Sequence, residues 1–223
     1  MGCVIGSNPE SFSGKFYHGN SSQPCYYFPD PPHMLKLGRN ALSFLGCFVD
    51  SENRLVKWDF IVKLHDVQVK EGLKFGNKLS AKHINFHQVK MNVKLAAHVL
   101  SNSVATAIEF LMNSNHPDFK NAEGTIHFIR TIDRLFDLLN TKNPFGKGYK
   151  TPLRLKDRPY WEETIDSSVS YLLGLKDINE TPLYLHRRKT FVVGLVIAAL
   201  STKELVTSLL SCPSYPFSYV LTY

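Results

Sequence analysis

The chain has 223 residues, a formal net charge of +7 from 26 Lys and Arg against 19 Asp and Glu, and 43% hydrophobic residues. That length accommodates one or two domains, and the apolar content suffices to bury a core, which excludes wholesale disorder. With 12% aromatic and 20% charged residues it is neither a solvated tail nor a long coiled coil, and its basic balance points to a polyanionic partner without specifying a fold.

The opening Met1-Gly2-Cys3-Val4-Ile5-Gly6-Ser7 resembles a myristoylation start. Gly6 occupies the place that wants Ser or Thr, and Ser7 comes one position late, which argues against acylation. No stretch has the zones of a signal peptide. The first thirty residues read as loop, with a short strand at Pro24 to Phe28. Pro29, Pro31 and Pro32 exclude helix there, so helix begins only with Met34, Leu35, Leu37, Ala41, Leu42 and Leu45, with Lys36, Arg39 and Asn40 on other faces. Gly46 is the expected stop.

From Asp50 the periodicity predicts helix throughout. Trp58, Ile61, Val62, Leu64, Val67 and Val69 form one amphipathic face, and Val93 to Leu111 forms a broader one. Asn113 to Asn121 breaks the pattern, and a third helix carries Ile126 to Leu139. A Gly- and Lys-rich loop spans Pro144 to Pro159, a fourth helix runs from Tyr160 to about Leu175, Asp177 to Pro182 is a turn, and a fifth helix covers about Arg188 to Leu210. Phe191 to Leu200 is the longest apolar run, at ten residues, against about 20 needed to span a bilayer, so no membrane partner is expected. The tail ends in a strand-like stretch, Tyr219 to Tyr223. The fold class is mainly α.

Cys3, Cys25, Cys47 and Cys212 form no CxxC pair, which fits reduced thiols without a zinc site or disulfide framework. Phe145-Gly146-Lys147-Gly148-Tyr149 fails as a P-loop, because the spacing is wrong, no Ser or Thr follows the Lys, and a helix precedes it. His83 and His87 stand four apart, but no Glu follows His83 and no third metal ligand is apparent. Lysines line the first two long helices and their connection, including Lys74, Lys78, Lys82, Lys90 and Lys94. More basic residues crowd the Gly-rich loop, and these clusters suit either solvated faces or a surface for phosphates. Asp133, Asp137 and Asn140 share one face of the third helix, either as an exposed helix end or as a carboxylate placed to accept hydrogen bonds from a guanine edge. No nucleophile elbow, Cys–His signature or distinctive carboxylate pair occurs.

Several segments resemble one family. Tyr27-Phe28-Pro29-Asp30-Pro31-Pro32-His33-Met34-Leu35-Lys36-Leu37-Gly38-Arg39-Asn40 is similar to the DPPHxLKLxRN signature of P-element-type, THAP-associated DNA transposases. The likeness continues through Lys78 to Ile84, Lys90 to Ala97, Thr125 to Asn140, Asn143 to Gly148 and Pro216 to Tyr223. The resemblance implies a helical GTP-binding insertion flanked by incomplete pieces of an RNase H-like α/β domain. Residues 1–48 would hold the signature segment, 49–212 the insertion and 213–223 the start of the returning segment. It further implies Lys78, Val93, Asp137 and Asn140 at the nucleotide, with Lys78 neutralising phosphate, Val93 making a backbone or packing contact, and Asp137 and Asn140 giving polar recognition. Asn92 stands where the family would place another Lys. GTP is then an architectural cofactor that needs no hydrolysis, and DNA is the partner, with self-association possible and a nuclear location.

RNase H-like transposases hold two metal ions on three acids. The resemblance places all three outside this chain, so magnesium belongs to the full-length family only and no cleavage or strand transfer is expected here. Asp30 is read as a cap for the following helix. A THAP finger needs Cys and His ligands at spacings that this sequence does not show. Three readings follow: a truncated or domesticated transposase remnant, part of an intact transposase whose flanks supply the acids, or a helical interaction module. Severed flanks would leave Cys25 to Phe28 and Tyr219 to Tyr223 as unpartnered strand edges.

Overall fold

The computed structural model describes residues 8–19 and 23–223, so the acylation sequence and Cys3 lie outside the described residues. The elements in chain order are β1 (Lys15–Tyr17), β2 (Pro24–Tyr26), α1 (Pro31–Leu45), β3 (Cys47–Val49), β4 (Leu55–Lys57) and α2 (Asp59–Glu71). There follow α3 (Ala81–Ile84), α4 (Val93–Val99), α5 (Asn102–Asn113), α6 (Glu123–Leu139), β5 (Leu153–Arg154), α7 (Arg158–Gly174), α8 (Thr190–Leu210) and β6 (Tyr219–Val220). The protein is mainly α, as the periodicity predicted.

The prolines do not delay α1; they start it. First-turn N–H groups lack partners in any helix, so Pro31 and Pro32 forfeit nothing there. Asp30 caps the turn, its Oδ2 accepting from the His33 N–H at 3.0 Å. The helix ends as expected at Gly46, whose φ of 75° only glycine adopts readily. Helix does not follow from Asp50. Instead β3 and β4 pair antiparallel, with Phe48 opposite Val56. Asp50 organises their turn, accepting from the N–H groups of Glu52 (3.0 Å) and Arg54 (2.9 Å) and from Arg54 Nε (2.8 Å). The single helix expected over Val93 to Leu111 is two, because Ser101, in extended backbone, ends one and starts the next.

The chain divides into two compact units. The first comprises Met1–Met34, Arg134–Leu173 and Lys189–Tyr223, the second Leu35–Asp133 and Gly174–Arg188. In the first unit α8 is the core helix: every residue from Phe191 to Ala199 is buried, as are Ser201, Thr202 and Val206. The hydroxyl of Ser201 donates to the Tyr27 carbonyl at 2.9 Å, and Lys203 pairs with Asp166 at 2.6 Å. Residues 190–210 and 93–113 are each long and apolar enough to cross a membrane, although the uninterrupted run counted in the sequence was only ten residues. Burial accounts for the apolarity of α8, and residues 93–113 are broken between α4 and α5.

The strand edges expected to lack partners have them inside this unit. Cys25 lies opposite Phe16 in the β1–β2 pair, and β6 pairs with β5, Val220 opposite Leu153. The second unit packs Phe48 edge-on to Phe128 (5.7 Å between centroids) and stacks Phe60 with Phe119 (6.1 Å). The Thr125 hydroxyl, fully buried, accepts from the Lys57 N–H at 2.8 Å and ties β4 to α6.

Candidate functional site

In the first unit the last turn of α6 carries Asp137 and Asn140. Leu135, Leu138 and Leu139 face the core, which draws the neighbouring Asp137 inward. Its side chain is only 21% exposed, so it is not the solvated helix end that the sequence also allowed. Burial raises the Asp137 pKa, and Lys150, 3.4 Å away, pulls against that shift. Lys150 itself is 64% exposed, so this partner is easily exchanged. The end of α6 is closed by the tail. Thr222 Oγ1 accepts from the Thr141 N–H (3.0 Å) and donates to the Leu138 carbonyl (2.6 Å), and Lys142 Nζ lies 3.5 Å from the centroid of the Tyr223 ring.

The Gly- and Lys-rich loop beyond α6 is a compact turn rather than a phosphate loop. The Gly146 N–H donates to the Asn143 carbonyl at 3.0 Å and the Lys150 N–H to the Lys147 carbonyl at 3.2 Å. Any side chain at Gly146 would overlap the Lys150 carbonyl oxygen. The turn delivers Tyr149 between two partners: the Arg134 guanidinium lies 5.3 Å from its ring centroid, and Tyr160 stacks at 5.7 Å and 26°. Beside the rings is a cavity of about 210 Å³, lined by Leu138, Pro152, Leu153, Asp157 and Trp161. This aromatic and cationic stack went unanticipated. Its signal in the sequence is the interleaving of Phe145, Tyr149 and Tyr160 with Lys147, Lys150 and Lys156.

Lys78 and Val93 belong to the second unit. Lys78 is exposed, and among the described residues it joins no salt bridge. Val93 is half-buried and opens α4. Asn92, at the place where a Lys was expected, caps α4 by accepting from the Leu95 N–H at 3.1 Å, a role no Lys could fill. Behind this turn lies Arg39, 0% exposed. It donates to the Lys90 carbonyl (2.7 Å) and to Asn40 Oδ1 (3.0 Å), and its guanidinium stacks 3.9 Å from the Phe86 centroid. Burial pulls its pKa down to about 10. Lys36 is buried too, so both basic residues of the signature helix point inward and not onto polar faces as expected. Arg39 shares the i, i+4, i+7 register with Leu35 and Leu42, which was the available signal.

His83 pairs not with His87 but with His98, at 3.1 Å between Nε2 and Nδ1. Burial is the main cause lowering both pKa values, followed by His98 for His83 and by Lys78 for His98. Among the described residues no group of three His, Cys, Asp or Glu side chains converges as a metal site requires.

The four residues assigned to the nucleotide thus fall into two pairs. Asp137 and Asn140 share one helical turn of the first unit, and Lys78 and Val93 lie in the second. In the first unit a recessed carboxylate beside an amide can meet a ring edge that presents N–H donors and an acceptor, and in the second an exposed Lys can meet an anion.

A family model described as TNP-like, GTP-binding insertion domain matches residues 32–152, more than half of the chain. The chain belongs to this family. Among curated proteins, this insertion-domain protein is 31% identical over 209 residues to human "DNA transposase THAP9", covering 93% of this chain and 23% of that protein. It is also 31% identical over 133 residues to the Drosophila melanogaster "Transposable element P transposase", covering 55% of this chain and 17% of that protein. The insertion-domain chain therefore spans less than a quarter of the curated relatives it matches. Its fold is shared with a solved "Drosophila P element transposase strand transfer complex", with a TM-score of 0.77 at 21% identity, over 98% of this chain and 50% of that one. The P-element-type resemblance of the sequence is borne out.

Proposed function

We propose that this chain is the nucleotide- and DNA-contacting part of a P-element-type DNA transposase and carries no phosphoryl-transfer chemistry by itself. The observation that carries the reading is Asp137: a recessed carboxylate on the last turn of α6, held by one exchangeable Lys, within the stretch matched by the GTP-binding insertion family. Asp137 and Asn140 would receive the guanine edge of GTP. By resemblance alone Lys78 and Val93 are assigned to nucleotide binding as well, and Lys78→Ala tests that assignment separately. Bound GTP supplies a base and phosphate charge at the protein surface, with no hydrolysis needed. The division into residues 1–48, 49–212 and 213–223, RNase H-like flanks, self-association and a nuclear location all belong to this proposal.

Calorimetry of GTP and ATP against the purified chain tests it. Heat of binding for GTP with little for ATP is expected, and no GTP binding at millimolar concentration would overturn the nucleotide reading. A magnesium-dependent nicking assay should show no cleavage, and activity in the purified chain would overturn the non-catalytic reading. A transcript running through both flanks would identify the chain as part of an intact transposase and not a domesticated remnant.

A further inference from the structure

Much of the chain's net charge of +7 falls in one segment of the sequence. Between Arg134 and Tyr160 there are seven Lys and Arg residues and only two Asp. This segment also holds the stack of Arg134, Tyr149 and Tyr160. Tyr160 is 51% exposed, and Phe145, in the turn that leads to Lys150, is 85% exposed. An aromatic ring so exposed contributes nothing to a core. Two such rings among lysines are the combination that binds single-stranded nucleic acid, where bases stack on rings and cations follow the phosphates.

We infer that the Arg134–Tyr149–Tyr160 stack and the adjoining Phe145–Lys150 turn bind single-stranded polynucleotide, bases stacking on Tyr160 and Phe145 and phosphates meeting Lys147 and Lys150. This rests on the DNA-contact reading above and specifies the form of the DNA. A duplex keeps its bases stacked on each other and offers only edges in its grooves, so it gains little from exposed rings. The neighbouring cavity of about 210 Å³ is below the ~300 Å³ at which small-molecule pockets begin, which suits one unstacked base better than a whole nucleoside triphosphate. Lys150 exchanges its partial pairing with Asp137 for a phosphate without uncovering a fully buried charge.

Fluorescence anisotropy of the full chain with 5′-fluorescein (dT)20 and with a labelled 20-base-pair duplex tests the inference, with circular dichroism monitoring the fold. Tyr160→Ala should weaken (dT)20 binding about tenfold and leave duplex binding unchanged, as expected for one lost base stack. Tyr160→Trp should restore it. Lys147→Ala with Lys150→Ala should weaken both ligands and flatten the salt dependence for (dT)20 by about 1.4 in log–log slope. Unchanged (dT)20 affinity in both Tyr160→Ala and Phe145→Ala overturns the stacking site, as does an equal loss on duplex. If the unmodified chain binds duplex but not (dT)20, this inference alone fails; if it binds neither, the DNA-contact reading fails with it.

Discussion

Asp137 is the residue on which the nucleotide assignment can be broken. A hydrogen bond to a charged group contributes about 1.5–3 kcal/mol, so a carboxylate taking two N–H donors of a guanine edge contributes roughly 3–6 kcal/mol. Against this stands the loss of Lys150, an exposed partner at 3.4 Å worth about 0–1 kcal/mol. With partial compensation by water, Asp137→Ala should lose about 2–4 kcal/mol of GTP affinity, roughly 30- to 1,000-fold by calorimetry, with little change for ATP. Lys150→Ala should leave GTP binding equal or tighter. The same carboxyl costs the free protein stability. Its folded pKa is raised by burial, so the folded chain holds the proton more tightly than the unfolded chain, and stability falls as pH rises through that raised value. Asp137→Asn should therefore raise Tm at neutral pH, and the gain should vanish in acid, where the carboxyl is protonated in both states. Unaltered GTP affinity in Asp137→Ala, or a lower Tm in Asp137→Asn at neutral pH, would refute the reasoning and make the residue structural.

Three further outcomes test the fold around these elements. Asp50→Ala strips three hydrogen bonds of a buried carboxylate from the turn of β3 and β4 and should cost about 3 kcal/mol in urea unfolding, while Asp50→Asn recovers part; a loss below about 1 kcal/mol would deny the turn its role. A methyl group at Gly124 would lie 2.7 Å from the Leu55 carbonyl oxygen and 2.9 Å from Arg54 Cβ. Gly124→Ala should therefore cost about 1–3 kcal/mol of overpacking, and a variant melting like the parent would show that α6 is free to shift away from β4. Thr222→Val keeps the shape of the side chain and removes both hydrogen bonds at the end of α6, for an expected loss of about 1–2 kcal/mol and faster proteolysis of the tail; equal protection would mean that the tail does not close the helix.

The long helices were legible because their faces repeat. Ile126, Ile129 and Ile132 mark α6, and the bounds predicted for it and for the helix ending at Gly46 differ from those observed by at most three residues. What the pattern missed has specific causes. The β3–β4 hairpin is only three residues a side, too short for alternation to register, and it exists because the Asp50 carboxylate satisfies the turn. Ser101 divides a continuous apolar face that periodicity alone reads as one helix. In the candidate site, Asp137 and Asn140 are legible only through the family resemblance, and that Asp137 is recessed depends on the packing of Leu135, Leu138 and Leu139.

Composition and motif order alone were enough to establish a mainly helical, basic chain of the P-element-type insertion family, because periodicity and local signatures are properties of neighbours along the chain. Tertiary structure decided the rest. It buried Arg39 against Phe86 and the Lys90 carbonyl, paired His83 with His98 instead of His87, and paired β5 with β6 across more than sixty residues. It also assembled Arg134, Tyr149 and Tyr160 into one stack. Each of these contacts joins residues at least eleven positions apart in the chain, and it rests on burial, hydrogen bonding or ring geometry that no local pattern encodes.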